Sequence, residues 1–262
     1  MNAVPSRFYL EDHLFENFAN QYKHIEAKNA LDYSVAGQNS LGHERYAELI
    51  KIAGRQRFES VCEIGPGSGS VLKQFASSSN EIIGVDIKNS IYESDPKLKM
   101  ILSGVHNMSQ LPNNSVDFLY SYDAFEHIPE IEKGFDECFR VLKPGSLMYI
   151  KVGPTFLSPW GYHYYHILRA PYIHVLFSEE VLLKYAKLKT IEVPYINKVV
   201  ATDYINYLKK LPPNCKVLSL KYDFDWYNTD MITKYAEVFK AKQVSFFDFF
   251  INSFSILIQK TS

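Results

Sequence analysis

The apolar positions along the chain follow two rhythms. Up to about residue 57 they recur at helical spacing: in YAELIKIAG, Tyr46, Leu49, Ile50 and Ala53 share one face, and Gly54 offers a stop. From Ser60 onward the rhythm shortens into strand-length apolar runs, SVCEI, EIIGVDI, KMILSG, VDFLYSY and LMYIKVG, alternating with helical stretches. Strands that alternate with helices predict βαβ units. The expected fold is α/β, a Rossmann-like doubly wound and mostly parallel sheet with helices on both faces. The clearest helix lies between the fourth and fifth runs. Pro129 suits its first turn, Glu130 and Glu132 favour the positive end of its dipole, and Ile131, Phe135, Cys138, Phe139 and Leu142 form its buried stripe. The adjacent Pro144 and Gly145 are expected to turn the chain into the fifth strand.

Beyond Val152 the alternation is interrupted by a stretch rich in histidine, tyrosine and proline that runs to about Pro213. It reads as an insertion after the fifth strand that covers the active site. The last segment, FFDFFINSFSILIQK, holds two β-rich runs about Asn252 and Ser253, expected to complete the sheet as a hairpin. The organisation is therefore an N-terminal helical cap over 1–57 and one domain over 58–262, with 153–213 as its substrate-covering insertion.

Composition narrows the functions that fit. The 262 residues carry 28 Lys and Arg against 29 Asp and Glu, with no basic tract, which disfavours a non-specific grip on nucleic acid and favours a small-molecule acceptor. Acidic residues stand where a signal peptide would have its apolar core, and FFDFFINSFSILI is too short for a membrane span and carries Asp248 and Asn252. The three cysteines, Cys62, Cys138 and Cys215, are odd in number and far apart, matching neither a disulfide framework nor a thiolate zinc site. The expectation is a cytoplasmic protein, with its oligomeric state left open.

Two stretches carry candidate chemistry. In VCEIGPGSGS, Gly65, Gly67 and Gly69 allow a tight turn and close approach by a ligand. Ser70 stands where a dinucleotide fingerprint wants Gly or Ala, and Glu63 precedes the turn, a charge that suits a cation better than a pyrophosphate. Asp86, ending the second strand, is placed to accept two ribose hydroxyls. The second stretch is SYDAFEHI. If it turns helically, Asp123, Glu126 and His127 share a face. That cluster either carries chemistry or only orients a loop.

Taken in order, E-x-G-x-G-x-G after the first strand, the acid ending the second, LPNNSVDFLYSYDAFEHI and VLKPGSLMYI resemble the class I S-adenosylmethionine-dependent methyltransferases, particularly the type-11 methyltransferase domain. The resemblance covers about Ser60 to Val152. It implies that the Gly65–Gly69 turn, with Pro66, borders the methionine part of the cofactor, that Glu63 lies near its amino group, and that Asp86 and the neighbouring Ile87 lie at the ribose. Asn107 stands where the family often has an acid for the adenine amine and can still accept through its carbonyl; Met108 could pack on the ring. Tyr122 and Asp123 fall where the transferred methyl meets the acceptor. Small-RNA 2′-O-methyltransferases and ubiquinone-pathway O-methyltransferases bind a divalent cation through a carboxylate-x-x-Glu-His motif. Asp123, Glu126 and His127 match it, and His163 and His166 in GYHYYH, followed by His174, extend the ligand candidates for Mg²⁺ or Mn²⁺. The implied activity is methyl transfer from S-adenosylmethionine to an oxygen of a small hydroxyl-bearing acceptor, such as a saccharide or nucleotide-linked unit. His127, His163 and Asp123 are its candidate catalytic residues. The alternatives are N-methylation, terminal 2′-O-methylation of RNA, and a cofactor-binding partner without turnover.

Overall fold

The computed structural model describes residues 8–22, 32, 34–93, 95–163, 168–188 and 195–261. The chain divides into two compact units, one formed by Leu31–Val152, Tyr207–Lys221 and Ser255–Ser262, the other by Met1–Ala30, Gly153–Asn206 and Tyr222–Phe254. The expected N-terminal cap is shared between them: helix α1 (Phe15–Tyr22) belongs to the second unit and helix α2 (Val35–Ala53) to the first. Ser34 caps α2 by accepting the Gly37 N–H, and Gly54, at φ 64°, ends it by donating to Ile50 O.

Seven strands form one sheet: β1 (Phe58–Ile64), β2 (Ser79–Asp86), β3 (Leu98–Leu102), β4 (Val116–Tyr122), β5 (Leu142–Val152), β6 (Cys215–Phe224) and β7 (Ile251–Lys260), in the order β3-β2-β1-β4-β5-β7-β6. The first five pair in parallel, as their sequence rhythm predicts. β6 and β7 run in opposite directions, since Asp225 N–H donates to Phe250 O at one end and Thr261 N–H to Asn214 O at the other. The order grows outward from β1 to β3 and then restarts at β4. The crevice between the carboxyl ends of β1 and β4 is thus the topological switch point, where open parallel sheets bind ligands.

The period-2 alternation of β4 assigns its two faces. Phe118, Tyr120 and Tyr122 pack with Leu49 of α2, Phe75 and Tyr149 in one buried cluster. On the opposite face Cys62 lies near Cys138 of helix α3 (Ile131–Val141), whose buried residues include Phe135, Cys138 and Phe139. Each such fully buried aromatic contributes about 1.5–3 kcal/mol. The second unit has its own aromatic core around Phe15, Phe18, Tyr172, Phe177 and Phe239.

Two expectations are corrected. Pro144 and Gly145 do not precede the fifth strand; β5 starts at Leu142, and its register with β4 jumps from Val116↔Leu142 to Phe118↔Leu147. Lys143–Ser146 therefore bulges out of the ladder, because proline has no N–H to give it and Gly145 takes a φ of 81°. Nor is there a terminal hairpin at Asn252 and Ser253. β7 passes straight through both, with Asn252 O accepting the Thr155 N–H, and the Phe246–Phe249 run is a 3₁₀ turn.

Candidate active site

The turn after β1 needs its glycines. Gly65, Gly67 and Gly69 have φ of 70°, 51° and 74°, the left-handed region that L side chains avoid. Gly65 donates to Val85 O, and a Cβ there would lie 2.5 Å from the Ala124 Cβ, so this turn packs directly against the one that follows β4. A Cβ on Gly67 would meet nothing within 4 Å. Its exposed backbone is open to a ligand. Pro66 is buried under this turn, and a Cβ on Gly42 of α2 would lie 2.3 Å from Ser70 O, so α2 runs against the turn as its wall.

Glu63 points behind that turn and is only 3% exposed. Tyr120, its register partner on β4, donates its hydroxyl to Glu63 Oε2 at 2.9 Å. Burial pushes the Glu63 carboxyl up to about 8, against the opposing pull of the Tyr120 hydroxyl, the Arg45 guanidinium and the Leu72 N–H; Asp86 adds to the rise. Near neutral pH that rise favours the neutral acid, which a nearby cation would ionise. Asp86 ends β2 half-buried, with Oδ1 taking the Lys88 N–H at 3.0 Å. Ile87 is exposed beside it. Asn107 faces solvent, whereas Met108 is wholly buried, its N–H donating to Glu137 Oε2 and its carbonyl accepting from Arg140.

At the end of β4 the structure adds residues that no motif flagged. Arg45 of α2 lies over the Tyr122 ring, 4.4 Å from its centroid, and donates to Asp123 Oδ2 at 2.5 Å. One turn further along α2, Glu48 accepts the hydroxyls of Tyr122 (2.8 Å) and Tyr149 (3.3 Å). The only trace in the sequence is their i, i+3 spacing on a predicted helix, too common to single out.

The expected helical cluster does not form. Asp123 has φ 52°, its N–H donates to Lys151 O, and the 3₁₀ turn begins only at Phe125, so Asp123 does not share a helical face with Glu126 and His127. Its carboxylate is balanced by Arg45. Glu126 is buried and His127 half-buried within the 3₁₀ turn. Among the described residues no group of three or more His, Cys, Asp or Glu side chains could hold a metal ion. Of the histidines expected as further ligands, His163 has Nε2 3.2 Å from Pro154 O, and His166 lies outside the described residues. His174 is buried with its Nε2 on Phe156 O, and burial lowers its imidazole to about 3. His163 and His174 both belong to the second unit.

Residues 62–150 match the family described as a methyltransferase domain. Within the curated proteins, the sterol 24-C-methyltransferase of Pneumocystis carinii is 34% identical over 116 residues, 40% of this chain and 30% of that protein. The phosphoethanolamine N-methyltransferase 2 of Caenorhabditis elegans is 27% identical over 128 residues, 44% of this chain and 29% of that protein. The chain thus spans less than a third of the length of either relative. In fold it is similar to the solved structure of Haemonchus contortus phosphoethanolamine N-methyltransferase 2 in complex with S-adenosyl-L-methionine. That match has a TM-score of 0.51 and 17% identity, over 84% of this chain and 53% of that one.

Proposed function

The chain carries a class I S-adenosylmethionine-dependent methyltransferase domain, and from that premise we propose that it transfers a methyl group to a small acceptor bound beyond the ends of β1 and β4. The observation that carries this reading is one conjunction: a glycine turn open at Gly67, a buried carboxyl behind it at Glu63, and a carboxylate ending β2 at Asp86. These residues fit the cofactor. Gly67 leaves the room that a side chain would take, Glu63 complements an ammonium, and Asp86 can accept a pair of ribose hydroxyls. S-adenosylmethionine supplies a methyl already activated on a sulfonium. The protein's share is then alignment and, for an oxygen acceptor, removal of a proton. Tyr122, fixed by Glu48 and Arg45, gives the site a rigid wall, and His127 is the base we assign to a hydroxyl on a saccharide or nucleotide-linked acceptor. Asp123 is not assigned a catalytic step, since its charge is held by Arg45. A nitrogen or carbon acceptor is the second reading, favoured by the names of the relatives, an N- and a C-methyltransferase.

Calorimetric titration with S-adenosylhomocysteine tests the cofactor assignment. Binding by the wild type that is lost or greatly weakened in Gly67→Val and in Asp86→Ala is the expected result; unchanged affinity in both overturns it. Transfer of labelled methyl across panels of hydroxyl, amine and carbon acceptors then tests the chemistry. His127→Ala should keep the cofactor affinity and lose turnover on hydroxyl acceptors. Cofactor binding without turnover on any panel would favour a non-catalytic role.

A further inference from the structure

Strand β6 lies at the end of the sheet, and among the described residues β7 is its one strand neighbour. Its outer edge therefore presents a row of backbone N–H and C=O groups over ten residues, Cys215–Phe224, without a proline or glycine to blunt it. Few charges protect it: CKVLSLKYDF has only Lys216, Lys221 and Asp223. Its side chains are also unusually apolar for an edge, with Leu218 44% and Phe224 38% exposed. The row continues past the strand. Asp225 N–H still bonds Phe250 O, and the rings of Tyr222, Phe224 and Trp226 follow one another on one face, with centroids 5.9 and 5.3 Å apart and Trp226 50% exposed.

We propose that this edge is a homotypic docking site, on which a second copy of the chain adds its own β6 antiparallel about Tyr222. The choice of partner and register rests on self-complementarity. In an antiparallel pair, directly opposed residues point to the same face, and a two-fold axis normal to the sheet keeps each copy's faces, so the axis must pass through a residue. An axis through Lys221 opposes lysine to lysine, and one through Asp223 opposes aspartate to aspartate. An axis through Tyr222 sets Lys221 opposite Asp223 twice on one face. On the other face it sets Leu218 opposite Trp226 and Leu220 opposite Phe224, with Tyr222 against its own copy. The exposed apolar groups cover one another and the charges pair. The contact is short, so the dimer is a weak one, with Kd on the order of micromolar.

Sedimentation velocity over a concentration series of the full chain tests this directly. The wild type should pass reversibly from monomer to dimer. Lys221→Glu and Asp223→Lys should each weaken the dimer at least about tenfold, because each opposes like charges twice. The double variant should restore it, and a mixture of the two single variants should form the heterodimer. Both positions are exposed, and circular dichroism verifies that the variants fold. In a Cys215→Ser background, Tyr222→Cys should form an intermolecular disulfide on mild oxidation. A chain that stays monomeric at every concentration overturns the proposal. So does a dimer indifferent to both charge reversals, which would lie on another surface, or an edge that instead binds phosphatidylglycerol vesicles through Phe224 and Trp226 while remaining monomeric.

Discussion

Replacing Glu63 by Gln should remove a pH dependence of stability that the buried carboxyl gives the wild-type domain. Glutamine keeps the shape and an oxygen for the Tyr120 hydroxyl, and it removes only the ionisation. The native carboxyl titrates at about 8, against an ordinary value of 4.5 in the unfolded chain, because burial disfavours its charge. Between those values the folded state holds more protons than the unfolded one. The contribution of Glu63 is therefore fully present below 4.5 and is lost as pH rises towards 8. The gap, at about 1.4 kcal/mol per pH unit, sets a ceiling of about 5 kcal/mol on the loss. Other groups act with the opposite sign, His174 and Lys242 among them. His174, lowered to about 3, loses stability on acidification below 6.5, and Lys242, lowered to about 7, gains it as pH rises from there towards 10.5. The difference between variant and wild type cancels the contributions of every group but Glu63. Urea unfolding at intervals from pH 5 to 8 should show Glu63→Gln gaining on the wild type steadily, to reach several kcal/mol at pH 8. Parallel stability profiles would refute the buried, proton-holding carboxyl. Calorimetry on the same variant should show weakened S-adenosylhomocysteine binding, the cost of losing a carboxylate that can face an ammonium.

Gly65→Ala should destabilise by about 2–4 kcal/mol, from a left-handed φ and a Cβ 2.5 Å from that of Ala124. Adding Ala124→Gly should recover the steric part alone, and thermal denaturation of the pair checks it. Arg45→Leu strands Asp123 and removes the contact with Tyr122, and should lower stability by about 1–3 kcal/mol in urea titrations. Arg45→Lys should fall between, since lysine keeps the charge and loses the planar stacking.

Five strands, helix α3 and the glycine turn were legible because each is written in local periodicity or in residues whose backbone freedom is specific: apolar runs for β1 to β5, an amphipathic stripe for Phe135, Cys138 and Phe139, and three glycines at positive φ. β6 escaped notice because it is an edge strand exposed on both faces, so neither alternation nor a buried run marks it. The shared face expected of Asp123, Glu126 and His127 failed on a single dihedral, the positive φ of Asp123, which the amino acid tolerates and does not announce.

By itself, then, the sequence determined the parallel α/β layout and the place of the glycine turn, Glu63 and Asp86 along it. Only the tertiary structure decided which groups meet: Tyr120 with Glu63 across 57 residues, and Arg45 with Asp123 across 78. The physical reason is range. A strand or a glycine turn is selected by torsion and burial over a few neighbours, whereas the charge state of a buried carboxyl and the partner of an aspartate depend on side chains brought close only when α2 and β4 have packed.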